Sequence, residues 1–139
     1  MDEDLPLIRS ANYLETPGRG YIHMGGMTVV NLMGRVFLAS LDCPFRTVDA
    51  VLYRLKEEGN GKLIIVNFHA ETTSEKQAMG WYLDGGVIGV LGTDTHFGTV
   101  DARIMPQGTV YLTEVGMTGP RDSVIGSDKD TVLERFLTS

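Results

Sequence analysis

The 139-residue sequence predicts an α/β domain built around a mixed sheet, and three observations predict it. Two short apolar runs, Leu63–Phe68 (LIIVNF) and Val87–Leu91, flank a helical segment, the pattern of parallel strands joined by a crossover helix. An amphipathic helix precedes the first run. Glycine-centred turns divide the other apolar stretches into hairpins.

In chain order, Tyr21–Met24 and Thr28–Leu32 read as a hairpin turned by Gly25-Gly26. Thr47–Glu58 places Val48, Val51, Leu52 and Leu55 on one helical stripe, with Thr47 as N-cap and Gly59 as stop. Leu63–Phe68 suits a strand buried on both faces. Thr72-Thr-Ser-Glu75 has capping-box spacing, so Thr72 and Glu75 would satisfy orphan amides of a helix reaching about Leu83. Glu71 would favour the same helix through its dipole, and Gly85-Gly86 would end it. Val87–Leu91 is the next strand, and Arg103–Met105 with Val110–Thr113 makes a hairpin around Pro106-Gln107-Gly108. A last helix follows Ser127, with Val132, Leu133, Phe136 and Leu137 on one face.

A composition of 42% hydrophobic and 22% charged residues suits one soluble domain, taken as residues 1–139. The net charge of −6 excludes a broad nucleic-acid surface, which needs clustered Lys and Arg. A compact phosphate ester can still bind where metal ions supply positive charge. Cys43 has no partner for an internal disulfide, the start MDEDLP lacks signal-peptide character, and no apolar run approaches the ~20 residues of a membrane span. A cytoplasmic protein without membrane partners is expected.

Two apolar runs lead directly into polar groups: His69 follows the first, and Asp94 and His96 follow the second. With the strands side by side, all three side chains emerge at the sheet edge where ligands collect. Asp94 and His96 are two apart, so in extended backbone they face the same way. Two histidines and a carboxylate can hold Zn, Fe or Mn. The same residues also suit a plainer role as hydrogen-bonded caps on strand ends.

The strings IIVNFHAETTSEKQAMGWYLDG, VLGTDTH and DARIMPQGTVYLTEVGMTGPRDSVIGSDKDTVLERFLT carry a resemblance, joined by RSANYLETPGRGY, VVNLMGRVF and LDCPFRTVDAVL. From about Leu7 onward the chain resembles the YmdB-like branch of the calcineurin-like metallophosphoesterases. The resemblance implies part of a four-layer α/β/β/α sandwich with a two-metal site at one edge. It also implies metal-dependent hydrolysis of phosphodiesters, including 2′,3′-cyclic nucleotides, by a hydroxide held between ions roughly 3.5–4 Å apart. His69 matches a metal-binding histidine. The family's usual GTHTH has metal-binding histidines where Asp94 and His96 stand, so His96 is retained and Asp94 departs. A carboxylate there adds charge and favours harder ions, Fe or Mn before Zn. Asn67 stands behind the ligands where relatives usually have Asp, a departure that would weaken their support.

The family's early Asp, Glu-Asn and GNH motifs have no counterpart here, nor do the strands that follow FLTS. The expectation is therefore the C-terminal metal-binding portion of the fold: a partial site holding metal through His69, Asp94 and His96, with no catalytic acid of its own. If the absent half uncovers ~500 Å² of apolar sheet, about 12 kcal/mol of burial is forgone, comparable with a whole domain's stability of about 5–15 kcal/mol. An oligomer or a complementing N-terminal segment is expected to compensate. The alternative is a catalytically inactive fragment or interaction module of the same fold. A third reading, a mononuclear two-His-one-carboxylate oxygenase, lacks any sign of a cosubstrate pocket.

Other candidates have plainer roles. His23 reads as a strand or surface histidine, Arg9 and Arg35 as salt-bridge partners rather than phosphate ligands, and Met79, Trp81 and Tyr82 as core or rim. The Gly116–Gly126 loop suits either a cleft wall or a tight connection. Cys43 has no adjacent base to activate it.

Overall fold

Alternation along the strands decides which side of the sheet is covered. A computed structural model describes residues 6–13, 16–38 and 40–138; the acidic start, residues 1–5, lies outside them. The strands are β1 (Tyr21–Met24), β2 (Met27–Met33), β3 (Ile64–His69), β4 (Gly89–Thr93), β5 (Arg103–Ile104) and β6 (Val110–Leu112), and the helices α1 (Pro44–Glu57), α2 (Thr73–Tyr82) and α3 (Lys129–Thr138). One mixed sheet runs in the order β1-β2-β3-β4-β6-β5. Strands β2, β3, β4 and β6 are parallel, with antiparallel β1 and β5 at the edges. The expected α/β class with a mixed sheet is what forms.

Val30, Val66, Val90 and Tyr111 are in register, as are Leu32 and Phe68, and all are buried. They meet Val48 and Leu55 of α1 and Met79 of α2, with Leu83 just beyond it, in a single core. Both crossover helices thus lie on one face. The opposite face carries Val29, Asn31, Ile65, Asn67 and Leu91, which are only half-buried. A helix layer on a sheet accounts for two of the four layers, and every named strand among the described residues belongs to that one sheet. Gly80 brings α2 against the sheet, since a Cβ there would stand 2.5 Å from Tyr111 Cδ2.

Two expected caps are replaced by other devices. Helix α1 begins at Pro44, not after Thr47, because proline's fixed φ suits a first helical turn. Thr47 N already donates to Cys43 O at 2.9 Å, inside the helix. Gly59, at φ +76°, ends it as expected. At α2 the capping box does not form: Thr72 makes no side-chain cap bond. The Glu75 carboxylate instead accepts from Arg35 N at 3.0 Å and Val36 N at 3.3 Å, holding the turn after β2. Two unpaired amides of that turn compete successfully for the carboxylate. In α3, Leu133, Phe136 and Leu137 lie on an exposed apolar face.

Candidate metal centre

The parallel register of β3 and β4 sets His69 directly beside Thr93, at the carboxyl ends of both strands. Their side chains share a contact, His69 Nδ1 to Thr93 Oγ1 at 3.2 Å, which orients the imidazole. His69 Nε2 then stands 3.5 Å from Asp94 Oδ1. Two ligand atoms bound to one ion at about 2.1 Å stand roughly 3–3.5 Å apart, so this spacing suits shared coordination. The second carboxylate oxygen, Asp94 Oδ2, is buried and has no hydrogen-bond partner among the described residues. An orphaned buried acceptor costs about 1–3 kcal/mol, and a cation would satisfy it. One imidazole and one carboxylate with an unpaired oxygen make a two-residue donor set that fits part of a divalent metal's shell.

His96 follows a different course. Asp94 and His96 have φ of +113° and +65°, so the extended backbone ends at Thr93 and the alternation that would align the two side chains no longer applies. His96 lines a recess of about 290 Å³ with Phe97, Met117, Gly119, Pro120, Arg121, Ser123 and Ile125. The Gly116–Gly126 loop therefore does wall a cavity, with His96 on its rim. Among the described residues no group of three or more His, Cys, Asp or Glu is placed to hold a metal. Asn67 donates to Asn31 Oδ1 at 2.6 Å, on the same sheet face as His69 and two residues before it.

Between Asp94 and His96, Thr95 is tightly held. Its amide and hydroxyl donate to Glu114 Oε2 at 2.9 and 2.6 Å. Lys76 Nζ reaches the same oxygen at 3.0 Å, and the two charged side chains are 1% and 0% exposed. Burial alone would raise the Glu114 pKa, yet hydrogen bonds from Thr95 and Lys76, the Lys76 charge and the Gly116 amide hold it below the ordinary range. Sequence reasoning missed this pair. The signal was present: Lys76 occupies the core stripe of α2 with Met79, Gly80 and Leu83, at i, i+3, i+4 and i+7.

The remaining candidates are accounted for locally. The Arg9 guanidinium donates to the carbonyls of Ser10, Ala11, Tyr13 and Gly18, pinning its own segment. His23 contacts Thr28 Oγ1 at 2.8 Å and Asn60 Nδ2 at 3.2 Å, as a strand histidine. Trp81 is half exposed and takes the Arg103 guanidinium over its ring at 5.5 Å. Cys43 is the N-cap of α1, where backbone donors at Arg46 and Phe45 lower its thiol pKa against a contrary burial effect. No helix among the described residues is long and apolar enough to cross a membrane.

The family model described as "YmdB-like protein" matches residues 1–139. The chain belongs to the YmdB-like family. Among its relatives is a Bacillus subtilis (strain 168) protein named 2′,3′-cyclic-nucleotide 2′-phosphodiesterase, 47% identical over 99% of this chain and 53% of its own length. A Mycoplasma genitalium protein named as a phosphatase/phosphodiesterase is 39% identical, over 96% of this chain and 48% of its own. Two solved structures resemble this chain's fold. One, a hypothetical protein from Thermus thermophilus, has a TM-score of 0.83 at 46% identity, covering 96% of this chain and 53% of that one. The other, described as a novel phosphatase of Mycoplasma pneumoniae, has a TM-score of 0.75 at 32% identity, covering 93% and 47%. The chain spans about half the length of the curated relatives it matches.

Proposed function

We propose that this chain supplies the His69–Asp94 part of a metal site to a phosphoesterase acting on small phosphodiesters, cyclic nucleotides among them. Family membership and the names of the relatives support the reaction class and the ester. One observation carries the metal: Asp94 Oδ2 is buried without a partner, while Asp94 Oδ1 faces His69 Nε2 at 3.5 Å. When bound, a divalent ion would polarise a phosphoryl oxygen and generate a nucleophile from water near neutral pH.

The chain's own residues have distinct tasks. Thr93 keeps the His69 ring turned so that Nε2 faces Asp94. The Asp94 carboxylate brings negative charge and favours Fe or Mn over Zn. His96, which lines the recess walled by the Gly116–Gly126 loop, joins the proposed ligand set. The Asn67–Asn31 bond fixes the strands behind them. Further ligands and the acid for the leaving group come from a second copy or a complementing segment.

A second reading is favoured by the small donor count among the described residues: the chain by itself keeps the surface but not the reaction. Calorimetric titration of Mn²⁺, Fe²⁺ and Zn²⁺ into the chain and into His69→Ala, with 2′,3′-cyclic AMP hydrolysis alongside, tests both. Binding that disappears in the variant is expected. Absence of binding in the unsubstituted chain would sink the metal site, while binding without hydrolysis would select the second reading.

A further inference from the structure

The buried Lys76–Glu114 pair is more than a tie between α2 and the segment after β6. Burying two charges is costly, and a well-packed apolar pair usually holds two elements together as well. What the charged pair adds is direction. All three donors on Glu114 Oε2 come from Lys76 or Thr95, and Oε1 takes the Gly116 amide at 3.0 Å. The segment beyond is held too, because Thr99 N donates to Glu114 O and Glu114 N to Thr99 Oγ1, each at 3.0 Å. Thr95 is thus fixed at both its amide and its hydroxyl.

Its two neighbours both have unfavourable backbone angles, φ +113° at Asp94 and +65° at His96. Such conformations persist only where the surroundings over-determine them. Gly92 completes the arrangement: a Cβ there would stand 2.9 Å from Lys76 Cδ and 1.8 Å from Thr113 O, so the strand end leaves room for the lysine to pass.

We infer that Lys76 and Glu114 are positioning residues that set the Asp94–Thr95–His96 loop through Thr95, and so set the spacing of its ligands. The clamp stands on contacts described above; its purpose rests on the metal-site reading. Neither residue need touch metal or substrate.

The test uses the full chain with Thr95→Val, Thr95→Ser and the double substitution Lys76→Met with Glu114→Leu, which leaves no charge stranded. Amide exchange by NMR reports the clamp without any metal, and Mn²⁺ calorimetry reports its purpose. In the double variant the core amide of Val66 should keep its protection while the Thr95 amide exchanges at least about 100-fold faster, as in a local opening. Mn²⁺ affinity should fall about 10–100-fold, the usual effect of losing an orienting partner. Thr95→Val should show a smaller change in the same direction, and Thr95→Ser should restore the original behaviour. If the double variant does not fold, the Thr95 pair decides alone. Unchanged protection at Thr95 and unchanged Mn²⁺ affinity in folded variants would overturn the inference. If the unsubstituted chain binds no Mn²⁺, the metal reading fails, and the exchange measurements still judge the clamp.

Discussion

Gly80 of α2 faces the Tyr111 ring so closely that a Cβ added to it would stand 2.5 Å from Cδ2 and 2.7 Å from Cε2. Tyr111 is 1% exposed and its hydroxyl bonds to Thr113 Oγ1 at 2.9 Å, so the ring cannot easily yield. Two effects then compete in Gly80→Ala. Helix propensity favours alanine by about 1 kcal/mol, whereas overpacking a filled core costs about 1–3 kcal/mol. Overpacking should win, and urea denaturation should read a net loss of up to about 2 kcal/mol.

If Asp94 holds metal as proposed, its substitution should move stability and metal binding in opposite directions. Its φ of +113° is unfavourable for any side chain, and its Oδ2 is buried without a partner. Glycine removes both penalties. Asp94→Gly should therefore stabilise the metal-free chain by about 1–2 kcal/mol while abolishing metal binding in the same titration. A destabilised Asp94→Gly would show that the carboxylate is satisfied without a cation.

His69 should behave differently. Its side chain is 39% exposed and contributes little packing. His69→Ala should leave the denaturation midpoint within about 0.5 kcal/mol of the original yet lose metal affinity. Thr93→Val keeps the shape but removes the hydroxyl that orients the ring, and should weaken affinity by about tenfold.

Acid should unfold the chain through two named carboxylates. Burial alone would raise the Asp101 pKa, but bonds from the Thr113 and Thr99 hydroxyls and the Thr113 amide bring it below its ordinary 3.8. Glu114 lies below its ordinary 4.5 for the reasons given above. With both folded values depressed, the native state binds fewer protons than the unfolded chain, so stability rises with pH across the carboxylate range. That contribution is complete above the unfolded values and disappears as pH falls through the folded ones. The urea midpoint should therefore hold steady above about pH 5 and fall below about pH 4. Glu114→Gln should show a shallower acid slope from a lower starting stability.

Much of the fold was legible because its signals are local. Gly25-Gly26 turns the first hairpin where expected, and Val48 and Leu55 face the core on the predicted stripe. Strand β4 is assigned from Gly89 rather than Val87, although Ile88 already bonds to both neighbouring strands, its amide to Ile64 O and its carbonyl from Val110 N. What sequence could not give were the choices made between distant groups. Glu75 has the spacing of a cap, yet its carboxylate went to amides some 40 positions away. At the site, His69 and Asp94 meet because strand order brings them together, which the apolar runs announced. The turn of the backbone at Asp94 and His96 had no such announcement, because it depends on Thr95 being held by residues from elsewhere in the chain.

That long-range hold has a kinetic meaning. Lys76 and Glu114 are separated by 38 positions, and neither finds its partner until β4 and β6 have paired alongside α2. Closing so wide a loop is slow relative to forming a helix or hairpin. The Asp94–Thr95–His96 loop should therefore take shape after the helices and the β1–β2 hairpin, whose contacts are local.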